Sequence, residues 1–304
     1  MERIDILGLG AVAVDDLVYV ESYPPANTKA RVLDRERQCG GLTATALVAA
    51  ARLGCRCAYA GLAGTDQESE FALEAMAGAG IDVASAGRHS DRRVYHSTVI
   101  VDRLGQRTLL SDGRNVEGAD DNWPAEEILR VCKVLFVDHT APGGMARAAR
   151  IAQSAGIPVV ADIERAESGR IDELMRLVDH LIVPEHFARA ATSIADAGSA
   201  AVSLMRDNRK AVVVTCGERG SWFVGRGCSL AHQDAYAVHT VDTTGCGDVF
   251  HGAYAAGLVM GKDLPARVRL ASAAAALKAT RRGGQAGCPT MDEVRSFLAD
   301  RVAP

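Results

Sequence analysis

Four short β-branched runs, Lys133 to Asp138, Ile157 to Asp162, His180 to Val183 and Ala211 to Thr215, recur through the middle of the chain and restrict how it can fold. Each is apolar along most of its length instead of alternating, which is the pattern of a strand covered on both faces. Longer amphipathic stretches such as Gly143 to Ala155 and Ala195 to Arg206 lie between and beyond them and have the period of covering helices. That alternation predicts parallel strands with helices on either side, an α/β architecture. No repeat of 20 to 50 residues and no Pro/Gly/Ser linker interrupts it, so 1–304 reads as a single domain. With 48% hydrophobic residues, a chain of 304 can bury roughly three quarters of its unfolded surface.

The two ends follow other rhythms. Strand-like runs at Val14 to Val20, Ala30 to Arg35, Val94 to Val101 and Arg107 to Leu110 predict a small sheet attached to the main body, placed to cover a site. From Asp248 onward the chain is almost all helical, with helices predicted over Val249 to Met260, Leu264 to Thr280 and Met291 to Val302.

Charge and cysteine usage exclude several classes. A net charge of −4 gives no electrostatic reason for a nucleic-acid partner. Eight scattered cysteines form no CxxC pair and no zinc-ligand spacing, which predicts a reduced, cytoplasmic chain. No secretory leader and no apolar run long enough for membrane insertion is evident.

Four constellations can carry chemistry. In Asp242-Thr-Thr-Gly-Cys-Gly-Asp248, a glycine turn opens directly into an apolar helix, so free backbone N–H groups and the helix dipole can meet phosphate oxygens beside one acid, Asp248. An ordinary strand-to-helix connection accounts for the glycines equally well; a lone capping Asp does not require Gly245 and Gly247 on both sides of Cys246. The turn Thr215-Cys-Gly217-Glu-Arg-Gly220 follows a strand end, where α/β sheets bind ligands, and it also suits a hairpin into Ser221 to Val224. Gly40-Gly41 precedes an Ala-rich helix carrying Thr45 and stopping at Gly54, a pattern open to close packing or to approach by a polar ligand. Asp15 sits in an apolar strand, where a carboxylate needs hydrogen-bonding partners such as sugar hydroxyls.

In this order the four constellations resemble the ribokinase-like carbohydrate kinase family, the PfkB type, across essentially the whole chain. The carrying residues are Asp242 to Asp248, with Cys246 in place of the usual alanine, and Gly40-Gly41 followed by Arg52-Leu53-Gly54. Thr45 stands where the family commonly has a sugar-contacting asparagine. Within the family, Asp248 to Ala253 and Ala276 to Gly287 look much like bacterial 6-deoxy-6-sulfofructose kinases, and Asp15 to Pro24 is similar to ketohexokinases. Lys29 matches the basic residue that sulfofructose kinases direct at the sulfonate, whereas Ser111 and Thr140 replace their Asn and Arg. Pro184 and Phe187 replace both ends of the family's Asn-x-x-Glu motif, which organises Mg²⁺ through water.

The resemblance implies a three-layer α/β/α domain with a β-sheet lid formed by about 14–38 and 94–112. It further implies transfer of the γ-phosphate of MgATP to a sugar hydroxyl, with Asp248 as base and the amides of Gly245, Cys246 and Gly247 as anion hole. Asp15, Lys29, Gly40, Gly41 and Thr45 would hold the sugar, and Thr215, Gly217 and Gly220 the nucleotide. Asp242, Thr244, Arg281 and Gly283 fall where relatives bind a monovalent cation such as K⁺, and lid sheets in the family pair into homodimers. A ketose is the expected acceptor. The alternatives are a nucleoside kinase of the same fold, with Tyr19, Tyr23 or Tyr95 as a base platform, and a non-catalytic sugar- or nucleotide-binding regulator.

Overall fold

The alternation in the middle of the chain becomes one sheet. The computed structural model describes residues 4–165 and 170–301. The N-terminal part contains strands β1 (Ile4–Leu9), β2 (Ala13–Val20) and β3 (Val32–Gly40), then helix α1 (Leu42–Arg52) and strands β4 (Cys57–Tyr59) and β5 (Leu62–Ala63). Helix α2 (Gln67–Gly78) and strands β6 (Gly87–Arg88), β7 (Tyr95–Val101) and β8 (Arg107–Asp112) complete it. After α3 (Glu126–Leu129) come β9 (Cys132–Asp138), α4 (Pro142–Ser154), β10 (Val159–Asp162), α5 (Ile171–Leu177), β11 (His180–Pro184), α6 (Glu185–Thr192), α7 (Ala197–Leu204) and β12 (Ala211–Thr215). The hairpin β13 (Ser221–Gly225) and β14 (Cys228–Gln233) leads to α8 (Cys246–Val259), α9 (Leu264–Ala279) and α10 (Met291–Ala299).

The main sheet runs β14-β13-β12-β11-β10-β9-β1-β4, parallel from β12 to β4 and antiparallel at the β13–β14 edge. Period-2 alternation sorts its side chains into two cores. Ile6, Val134, Phe136, Val160, Ile182 and Val213 pack under α1, α8 and α9. Leu135, Val137, Val159, Leu181, Val183 and Val212 pack against α4, α5, α6 and α7 on the other face. Helix, sheet and helix make the three layers.

A second sheet, β3-β2-β7-β8, grows directly from the end of β1 and pairs β2 with β7 in parallel. Here the sequence misplaced one strand. The run predicted at Ala30 to Arg35 begins at Val32 and continues through Asp34, Arg35, Glu36 and Arg37 to Gly40. Its central residues are exposed on both faces, so no apolar alternation marks it; backbone pairing with β2 holds it. The last predicted helix ends at Ala299, and Val302 lies outside the described residues. Among the described residues no helix is long and apolar enough to cross a membrane.

Candidate active site

The carboxyl ends of the parallel strands carry the polar groups. Asp138 and Asp162 pair in register at the ends of β9 and β10, and Pro184 pairs with Thr215 at the ends of β11 and β12. This edge is where open α/β sheets bind ligands.

Asp138 is fully buried and fully engaged. Its Oδ2 accepts from the Ala11 amide at 2.6 Å and from Thr43 Oγ1 at 2.8 Å, while Oδ1 accepts from the Thr140 amide at 2.8 Å. One carboxylate thus ties the start of β2 and the first turn of α1 to the main sheet. Gly41, the N-cap of α1, has φ 98°, and a Cβ there would stand 2.6 Å from Ala11 O, so only glycine fits without backbone movement. A Cβ on Gly40 would meet Asp15 Oδ2 at 2.7 Å. The Gly-Gly pair therefore brings the Asp15 carboxyl and the start of α1 together. Burial raises the Asp15 pKa, partly offset by a hydrogen bond from Ser97.

Helix α8 opens behind Gly245, which is left-handed at φ 76°, and no side chain caps the helix. The Cys246 amide, expected in the anion hole, donates instead to Thr243 O at 3.2 Å because the Asp242–Gly245 loop closes as a turn. This bond engages the Cys246 amide, and the amides of Gly245, Gly247 and Asp248 are the other candidates for the anion hole. The Cys246 thiol is pushed up to about 11 by burial, so it is not an activated thiol. Thr45 is buried, and its Cγ2 would lie 3.4 Å from a Cβ on Gly245, so the α1 and α8 starts abut.

Asp248 projects from this turn toward Asp162 and Glu164, the ligand atoms of the three lying within 4.8 Å of one another. Burial raises the Asp248 pKa well above the ordinary carboxylate value, reinforced by the charges of Glu164 and Asp138. Asp162 is raised likewise, first by burial and then by Glu164, Asp248 and Asp138. Neither Asp162 oxygen makes a hydrogen bond, although Oδ1 lies 3.4 Å from His251 Nε2. His251 does not face solvent: its buried ring contacts Gly247 O at 2.7 Å and Ile182 O at 3.2 Å, bracing the first turn of α8.

The remaining predicted residues fall in three places. Thr215 ends β12, and the Gly217–Arg219 turn with Gly220 returns the chain into β13, as the hairpin expectation has it. Asp242, Thr244, Arg281 and Gly283 meet: Asp242 Oδ1 accepts from the Thr244 amide at 2.9 Å and Oδ2 from the Gly283 amide at 3.0 Å, while Arg281 pairs with Glu293. Lys29 lies apart from these groups on the exposed β2–β3 loop, in a surface groove with Glu21, Pro24, Arg31 and Arg103. Ser111 sits on β8 opposite Ser97, and Thr140 is buried with its Oγ1 unpartnered. Phe187 is buried in the core under α6, and Glu185 pairs with Arg219.

Sequence reasoning missed Asp138, Asp162, Glu164, Arg107 and Lys278. Arg107, on β8, donates to Thr244 Oγ1 and approaches Asp242 Oδ1 at 3.8 Å, joining the smaller sheet to the α8 loop. A signal existed for two of them: two apolar strand runs each end on an aspartate, and parallel strand ends share one edge.

The arrangement offers a carboxylate at an uncapped helix start, an acid pair fit for a hard cation, and flanking polar groups, which is what phosphoryl transfer needs. Comparison with known proteins agrees. Residues 4–291 match the family described as pfkB family carbohydrate kinase. The chain is 28% identical over 298 residues to the ribokinase of Haemophilus influenzae, covering 95% of this chain and 97% of that one. It is 26% identical to the ribokinase of Bacillus subtilis, covering 97% and 99%. The Arabidopsis thaliana ribokinase solved with ribose and ATP has the same fold, with a TM-score of 0.86 at 23% identity over 97% of this chain and 99% of that one. The chain belongs to the pfkB family of carbohydrate kinases.

Proposed function

We propose that the protein transfers the γ-phosphate of MgATP to a hydroxyl of a small sugar. The observation that carries this reading is Asp248 at the uncapped start of α8, its carboxylate beside Asp162 and Glu164, with the Gly245 end of that helix abutting Thr45 of α1. The sugar oxygen attacks the γ-phosphorus, the bond to the β-phosphate oxygen breaks, ADP leaves, and the hydroxyl proton passes to the Asp248 carboxylate. The amides of Gly247 and Asp248, at the positive end of the helix, face the charge that develops on the phosphoryl oxygens. Asp15 and Thr45 orient the sugar, and the Thr215–Gly220 turn receives the nucleotide.

With Pro184 and Phe187 unable to serve, Asp162 and Glu164 are the residues that would hold Mg²⁺: their oxygens are hard ligands, and those of Asp162 lack hydrogen bonds. Bound there, the ion neutralises phosphate charge. The β3-β2-β7-β8 sheet acts as a lid that keeps water from the reaction. It leaves Leu33, Leu109 and Leu110 in solvent, which supports pairing of two lids in a homodimer.

The acceptor we infer is a ketose or ketose derivative, supported by the likeness of Asp248 to Ala253 and Ala276 to Gly287 to sulfofructose kinases. The relatives named above are ribokinases, so ribose belongs in the same test. ATP consumption is measured with ketoses, ribose and other aldoses, sulfosugars and nucleosides. The expected result is turnover on a ketose. Asp248→Asn should then lose activity by about 10²–10⁴-fold while binding ATP normally by calorimetry. Full activity in that variant would overturn the assignment.

A further inference from the structure

The family resemblance implies a monovalent cation near Asp242, Thr244, Arg281 and Gly283, and the amine of a side chain lies there in this protein. Lys278, in the last turn of α9, is fully buried. Its Nζ donates to Asp242 O at 2.8 Å and to Arg281 O at 3.2 Å, and lies 3.7 Å from Asp242 Oδ2. Both oxygens of the Asp242 carboxylate already accept from the amides of Thr244 and Gly283. A free ion entering this loop pair would meet carbonyls that are already engaged and a fixed positive charge beside them. Such a charge repels a second cation at contact distance strongly in a partly desolvated site. The candidate residues therefore do not fit K⁺ as long as Lys278 is present.

The surroundings are shaped for the lysine. A Cβ on Gly287 would stand 3.1 Å from Lys278 Cε, so the absence of a side chain at 287 gives the stem room. The ammonium carries the same unit charge as K⁺ and binds with three donors, so a carbonyl and a carboxylate can be satisfied together. It bridges the 242–245 loop, which leads into the first turn of α8, to the 281–287 loop. Backbone bonds from the Val241 and Asp242 amides to Ala279 O run alongside this bridge.

We infer that Lys278 is a built-in replacement for the monovalent cation, a positioning residue that holds the α8 loop in its anion-binding shape and makes the protein independent of K⁺. This rests on the kinase reading for its catalytic consequence, but not for its structural one. Two measurements separate them. In the first, phosphoryl transfer is followed in KCl, NaCl and tetramethylammonium chloride at equal ionic strength. The wild-type rate should be the same in all three, and Lys278→Met should slow in tetramethylammonium by about 10- to 100-fold and recover in part when K⁺ or NH₄⁺ is added.

In the second, melting temperature is read by calorimetry in the same salts without any substrate. Wild type should melt at one temperature in all three, and Lys278→Met should gain a rise specific to K⁺ or NH₄⁺, because an ion that binds only the folded state stabilises it. A K⁺-specific increase in the wild-type rate or melting temperature overturns the inference, as does a Lys278→Met protein that stays as fast as wild type in tetramethylammonium. Failure to phosphorylate any sugar, with the melting results as expected, counts against the kinase reading and leaves the cation replacement standing.

Discussion

Asp248 accepts a proton only while it is ionised, and its neighbours oppose ionisation. Burial, Glu164 and Asp138 all raise its pKa, so at a pH where an ordinary carboxylate is already charged a fraction of Asp248 stays protonated. The acid limb of the pH–kcat/KM profile of the free enzyme should therefore lie above the usual carboxylate range. Glu164→Gln removes one negative neighbour, lowers the Asp248 pKa and should move that limb to lower pH. Glu164 is also a metal-holding candidate, so the variant's KM for MgATP should rise as well. A limb that stays in place, or moves upward, contradicts the electrostatic account. The place of Asp248 in the first turn of a helix was legible from the glycine turn before it. Asp138 was marked only as the end of a strand run; its bonds to the Ala11 amide and the Thr43 hydroxyl, far away in the chain, were not, because no local pattern records a contact of that range.

At the scale of elements, the junctions matter more than the elements. The four middle strands and the C-terminal helices were legible within a few residues, since buried parallel strands and long apolar helices follow strong periodic patterns. Strand β3 was partly hidden, its charged residues being exposed on both faces. The role of Gly40-Gly41 was visible only as a choice between packing and ligand approach; the structure shows close approach to the Ala11 backbone and to the Asp15 carboxyl. Gly41→Ala forces a left-handed backbone and a Cβ into Ala11 O. It should lower unfolding free energy by about 1–3 kcal/mol, measured by chemical denaturation. Because β2 and α1 are pushed apart beside Asp15, KM for the sugar should rise more than kcat falls. A variant with wild-type stability and KM would show that the approach is not required.

At the scale of the whole molecule, the smaller sheet is the part least complete by itself. Leu109 and Leu110 of β8 and Leu33 of β3 are apolar and more than a third exposed, the largest being Leu109 at 59%. A homodimer formed through these sheets should sediment at twice the chain mass in analytical ultracentrifugation at micromolar concentration. Leu109→Arg should shift it toward monomer without unfolding it, since the residue touches solvent in the single chain. A wild-type protein that sediments as a monomer at that concentration removes the dimer. Lys29 is exposed on the β2–β3 loop, and no local pattern in the sequence says how it would approach a sugar.

The way the smaller sheet joins the body has a mechanical consequence. Strand β1 ends at Leu9 and β2 begins at Ala13, β3 ends at Gly40 and α1 begins at Leu42, and the Tyr95 amide of β7 bonds to Val12 O. These three joins cluster around Asp138 and Asp15, and the contact of Arg107 with Thr244 is a further tie, from β8 to the α8 loop. The sheet is a lever whose fulcrum lies among the residues proposed to hold the sugar. Swinging its far end by a large arc moves Asp15 and Gly41 only slightly, yet it cannot move without them. With the proposed lid and sugar site, release of the phosphorylated sugar and opening of the covering sheet are one motion, so a substitution at the fulcrum should set the rate of product departure as well as the strength of sugar binding.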